Sequence, residues 1–158
     1  MALALLAAAC VKKPTMALDH AEITGVSIAF PPRLGVLMML YIDVYNPNSY
    51  DIAVRAVRGQ VLLARRYNLP VDFRPKGDGV WLGSGSTTPV AVPVDIPVKT
   101  ALAVLQESYS APTIPYHFTG SADVTATRTF QIEKDDYSLS EDGWVSRQQI
   151  EAAVHGAL

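Results

Sequence analysis

The stretch LYIDVYNPNSYDIAV, Leu40 to Val54, alternates strictly until it meets Asn46-Pro47-Asn48, and the alternation resumes at Ile52. Upstream, VLMMLYIDVY puts Val36, Met38, Leu40, Ile42 and Val44 on one face. Leu37, Met39, Tyr41, Asp43 and Tyr45 fall on the other. A period of two with one wholly apolar side predicts a strand set against a core. Pro47 fixes its own φ near about −65° and pushes Asn46 toward an extended conformation. Asn48 can bond nearby backbone and tolerates left-handed geometry. Asn46, Pro47 and Asn48 therefore read as a structural turn that ends one strand and starts the next.

Working outward, DIAVRAVRGQVLLA predicts two strand pieces, around Ile52–Val57 and Gln60–Ala64, bent near Gly59 by a bulge or a close approach. YNLPVDF predicts a short edge strand, and RPKGDGVWLGSGSTTP a polar, glycine-rich connection. In VAVPVDIPV, Val90, Val92, Val94 and Ile96 share a face while Pro93 and Pro97 remove ladder donors, so this strand is expected at an edge or beside a bulge, not in a sheet centre. The period then changes. KTALAVLQESY carries Ala101, Leu102, Val104 and Leu105 at helical spacing and predicts one helix of about ten residues. IPYHFTGSADVTA and TRTFQIEK predict the last strands. SRQQIEAAVHGAL predicts a short C-terminal helix, with Ser146 and Gln149 as a capping box and Gly156 as its end. On the N-terminal side EITGVSIAF reads as the first strand, closed by Pro31-Pro32. The sum is an immunoglobulin/fibronectin III-like Greek-key β-sandwich of about seven strands with one inserted helix.

The chain has 158 residues, 49% hydrophobic and 18% charged. That is one domain's length with enough apolar content for a core, and it argues against disorder. A net charge of −2 with scattered basic residues leaves no footprint for nucleic acid. The single cysteine, Cys10, follows MALALLAAA, an uncharged apolar run too short to span a bilayer but of the length of a secretory signal core. Ala7, Ala8 and Ala9 before Cys10 resemble a bacterial lipobox, whose cysteine is lipidated; the alternatives are an ordinary signal peptide or a frayed apolar N-terminus with an incidental free thiol. The organisation expected is a lipobox-like segment over 1–10, a tether over 11–20 and a single domain over 21–158.

No catalytic or metal-binding set stands out. GDGVWLGSGST, Gly77–Thr87, matches neither a P-loop nor a Gly-x-Ser-x-Gly elbow and reads as a flexible loop. His20, His117 and His155 are far apart and lack zinc-type spacing, and nothing in the sequence selects a Ser-His-Asp set. The acidic run EKDDYSLSEDGW lacks EF-hand spacing and reads as a solvated turn. No cofactor is expected.

Asn46-Pro47-Asn48, followed by Ile52, Val54, Val57, Gly59, Val61, Leu63 and Ala64, then the valine strand, then Tyr116, Phe118, Gly120 and Ala122, resembles the late embryogenesis abundant (LEA) type 2 family, also called the WHy (water stress and hypersensitive response) domain. The likeness runs over roughly Ala21 to Lys134. It implies a folded sandwich, a link to desiccation or cold stress, and no catalytic residues. With Cys10, the expected place is the bacterial cell envelope, lipid-anchored, with client or envelope proteins as partners; a secreted or cytoplasmic soluble protein is the alternative. The competing functions are an assembly lipoprotein holding one envelope partner and a carrier of an apolar ligand.

Overall fold

In the computed structural model, which describes residues 12, 14–29, 33–125 and 133–158, the alternation before Asn46 becomes a strand whose inward side chains are almost completely buried. The elements run β1 (Thr15–Ala29), β2 (Arg33–Tyr45), β3 (Ile52–Leu63), β4 (Tyr67–Phe73), β5 (Val80–Leu82), β6 (Thr87–Pro97), α1 (Val98–Glu107), β7 (Thr113–Thr125), β8 (Glu133–Ser146) and α2 (Arg147–Ala157). All strand pairs are antiparallel. One sheet has the order β1-β2-β6 and the other β4-β3-β7-β8, with β5 also pairing β3. The two pack face to face as the expected β-sandwich, with eight strands among the described residues.

The core is the inward set of β2 and β6 against that of β3 and β7. Val36, Met38, Leu40, Ile42, Val44, Val90, Val92, Val94 and Ile96 meet Ile52, Val54, Val61, Leu63, Ile114, Tyr116 and Phe118. Burying each such aliphatic side chain stabilises the fold by ~1.5–3 kcal/mol before entropy is subtracted. Helix α1, of the ten residues expected, buries Ala101 and Val104 over the end of this core. Helix α2 buries Ile150, Ala153, Val154 and Ala157 beside it, and Ser146 accepts the Gln149 N–H as its cap. Gly156 lies inside that helix, with Leu158 as the C-cap, so it does not end it as the sequence suggested.

Several elements depart from expectation. Residues 15–20 are not a tether, because β1 starts at Thr15. Two irregularities in its pairing with β2, between Leu18 and His20 and between Ile23 and Gly25, each flip the inward parity and hide the alternation. Strand β3 is continuous through Gly59, and its bulge sits between Val54 and Ala56 instead. Gly59 is a close approach: a Cβ there would lie 2.2 Å from the Thr119 carbonyl oxygen. The glycine-rich connection contains the three-residue strand β5. The acidic run is not a turn but the body of β8, paired with β7 from Thr113↔Ser146 to Thr125↔Glu133. Most of the expected TRTFQIEK strand, like Cys10 and the lipobox-like segment, lies outside the described residues. Strand β6 forms an unbroken ladder with β2 and occupies the edge that its prolines require.

Candidate functional site

The turn after β2 is the most heavily hydrogen-bonded polar feature of the described chain. Asn46 is fully buried and Asn48 nearly so. The Asn46 amide donates from Nδ2 to the carbonyls of Tyr50 (2.8 Å) and Leu82 (3.2 Å). Its Oδ1 accepts the Asn48 N–H (3.0 Å) and the Asn48 Nδ2 (3.1 Å). Its backbone pairs with the loop after β5, Asn46 N–H to Ser86 O and Gly85 N–H to Asn46 O. Asn48 faces the other way. Its amide donates to Lys12 O (2.9 Å) and accepts the Lys12 N–H (2.8 Å), imitating one rung of a ladder with the N-terminal segment. The Ser84 hydroxyl donates to the Asn48 carbonyl at 2.7 Å. Asn46, Pro47 and Asn48 thus form a buried junction of three chain segments, and Pro47 holds the two amides in position without using a donor of its own. Pairing both Asn side chains is what makes their burial tolerable.

The histidines fall in three different places. On the outer face of β7–β8, His117 Nδ1 lies 2.7 Å from Asp142 Oδ1 and Nε2 lies 2.9 Å from Ser140 Oγ. These are the contacts of a Ser-His-Asp set, assembled by cross-strand register that a linear reading does not reveal. The surroundings differ from those of a nucleophile. The Asp142 side chain is 88% exposed, so its charge is screened by water. On the other sheet His20 stacks on Tyr41, with ring centroids 4.6 Å apart. The hydrogen bond that the Asp19 carboxylate accepts from the imidazole raises the His20 pKa above the ordinary 6.5, desolvation works against this, and Glu22 adds to the rise. His155 lies on α2 among Leu102, Leu105 and Tyr109 of α1 and the turn after it. Among the described residues no group of three or more His, Cys, Asp and Glu is placed to hold a metal ion.

Between the two sheets, the space bounded by Met16, Ile42, Val57, Phe118 and Leu139 measures only about 10 Å³. That is the size of one water and far below the ~300 Å³ or more of a small-molecule site. A larger groove, about 410 Å³, opens between the free edges of β1 and β8.

No family model and no curated protein matches the chain. Solved structures do. A solution structure provisionally described as that of a late embryogenesis abundant (LEA) protein aligns over 86% of this chain and 72% of its own, with TM-score 0.59 and 19% identity. A protein from Arabidopsis thaliana aligns over 84% of this chain and 83% of its own, with TM-score 0.53 and 15% identity. At these identities the likeness is one of fold.

Proposed function

We propose that this chain is a non-enzymatic stress-protective or protein-binding module of the LEA type 2 kind, held at the cell envelope through Cys10. The observation that carries the reading is the LEA-like fold over most of the chain, built around Asn46-Pro47-Asn48 as its junction.

The distribution of exposed apolar side chains supports a binding role. Of the eight large apolar side chains exposed among the described residues, six are Val26, Ile28, Leu34, Leu102, Tyr109 and Leu158, the other two being Tyr45 and Trp144. All six belong to the β1–β2 hairpin tip, α1 and its following turn, or the end of α2, which share the pole opposite Asn46-Pro47-Asn48. Such a surface suits transient contact with apolar segments of partly unfolded proteins. Addition of a client strand suits the β6 and β4 edges less well. Pro89, Pro93 and Pro97 share one parity on β6, and Pro70 interrupts β4. A carrier of an apolar ligand finds no room between the sheets.

The test is protection of a freeze-sensitive enzyme through freeze–thaw, with serum albumin at equal mass as control. Activity retained above the albumin level, and reduced by Ile28→Glu with Leu34→Glu, supports the reading; protection equal to albumin refutes it. The mass of the mature N-terminus in membrane fractions tests the anchor, since acylated Cys10 at the N-terminus is the required form. A single stoichiometric partner in membrane crosslinking would favour an assembly lipoprotein instead.

A further inference from the structure

The groove between β1 and β8 holds a buried polar atom without a partner. Tyr116 is 2% exposed, and its hydroxyl has no hydrogen-bond partner among the described residues. Strand register sets Tyr116 opposite Gly143, and a Cβ at position 143 would lie 2.3 Å from the phenol oxygen. The missing side chain therefore lets the ring lie over β8, where Tyr116 is one of the residues lining the groove. A buried hydroxyl left unpaired costs about 1–3 kcal/mol relative to a paired one. Its retention, over a glycine that makes way for it, points to a ligand that pairs it.

The walls state the chemistry of that ligand. Asp19 and Glu22 line the groove from β1, Asp142 from β8, and the Glu141 carboxylate reaches across from β8 to accept the Leu18 N–H at 2.5 Å. His20 bonds Asp19 and Glu22 within the groove, while Asp142, at the rim, is bonded by His117 from the outer face of β7–β8. No lysine or arginine is among the described residues lining the groove. Trp144, 64% exposed, stands at the same opening.

We infer that this groove binds an organic cation, an ammonium or guanidinium group, with an N–H donated to Tyr116 Oη, the charge held by the Glu22 and Asp142 side and the apolar or planar part against Trp144. Carboxylates supply the charge complement, and an indole face adds cation–π attraction that a neutral or anionic ligand would not gain. The group has two sources, a free polyamine or an arginine or lysine side chain of a polypeptide. The inference goes beyond the stress-protective reading and stands separately from it, because it is read without any client protein.

Amide and indole shifts of the ¹⁵N-labelled chain are followed while three probes are added in turn: agmatine, acetyl-Gly-Arg-Gly-amide, and the same peptide with citrulline, a neutral isostere, in place of arginine. Saturable shifts at the Trp144 indole N–H and the Gly143 amide are expected with at least one cationic probe. Agmatine alone would identify a free amine as the source, the arginine peptide alone a polypeptide, and both the shared group. The citrulline peptide is expected to bind about tenfold more weakly or worse. Tyr116→Phe, which deletes only the oxygen, and Glu22→Gln, on an exposed position, are each expected to weaken binding severalfold. No saturable shift with either cation, equal affinity for citrulline, or unchanged affinity in both variants overturns the inference. Glu22→Gln carries the test by itself if Tyr116→Phe fails to fold.

Discussion

Asn46 concentrates at one side chain what joins three segments. Its amide satisfies two carbonyls and its oxygen accepts from Asn48 twice, all in a site closed to water. Asn46→Ala leaves several of these groups unpaired, each costing ~1–3 kcal/mol, so a loss of about 3 kcal/mol is expected as a lower urea midpoint. Asn46→Asp keeps the shape but sets a carboxylate against the Tyr50 and Leu82 carbonyls. It should be the more damaging change at neutral pH and recover partly in acid, when the carboxyl regains a proton, as urea melts at pH 4 and pH 7 would show. Tyr116 offers a second test. Burial, helped by the charge of Glu141, pushes its phenol up to about 12 from 10.0. The folded state thus holds this proton more tightly than the unfolded one. Its stability is intact below pH 10 and falls by ~1.4 kcal/mol per pH unit as the pH rises toward 12. In thermal melts from pH 8 to pH 11, Tyr116→Phe should lose less stability than the parent chain.

At the scale of elements, the Gly59–Gly120 pair fixes how closely β3 and β7 approach. Gly59→Ala would drive a methyl group into the Thr119 carbonyl and the Gly120 Cα, and backbone has little freedom to retreat. A destabilisation of about 3 kcal/mol is expected, measured by chemical denaturation, whereas Gly77→Ala meets no neighbour and is opposed only by its left-handed backbone. The Ser140, His117 and Asp142 side chains make a surface hydrogen-bond cluster, so activated-ester hydrolysis by the parent chain and by Ser140→Ala should match at pH 8. Legibility in the sequence follows from how pure each element's inward face is. Strands β2, β6 and β7 and helix α1 carry uninterrupted apolar positions and could be read directly. In β8 the inward places of Glu141 and Gly143 are taken by a residue that bonds across to β1 and by one that makes room for Tyr116. Only Leu139 and Val145 remain there as buried apolar signals among its described side chains. In β1 two irregularities broke the period. The Asn-Pro-Asn turn was legible as a turn, but its partners Lys12, Leu82 and Ser84 lie about 36 residues away, and no local pattern announces them.

For the whole molecule, the junction would set an orientation if Cys10 carries the proposed lipid. Asn48 clasps Lys12, two residues beyond Cys10, so a lipid on Cys10 would hold the Asn46-Pro47-Asn48 pole against the membrane with little slack. Strand β1 has 15 residues, which at ~3.3 Å each places the apolar pole about 50 Å away. In lipid-reconstituted protein, a fluorophore at position 49, next to Asn48 and exposed, should be quenched by headgroup-labelled lipid, and one at position 109 should not; the reverse would refute the orientation. The pairing of β3 with β7 has a further consequence, for synthesis. Their partners are separated by 53 residues at Leu63↔Tyr116 and 72 at Ala53↔Thr125. The sheet of β1, β2 and β6 has all its strands once Pro97 has emerged, while the inner edge of β3 must wait for β7. At ~5–20 residues per second that wait lasts about 3–14 s. Throughout it, a strand rich in valine and leucine has β4 and β5 on one side and an open ladder on the other, so the nascent chain is most in need of a holding factor between the emergence of β3 and that of β7.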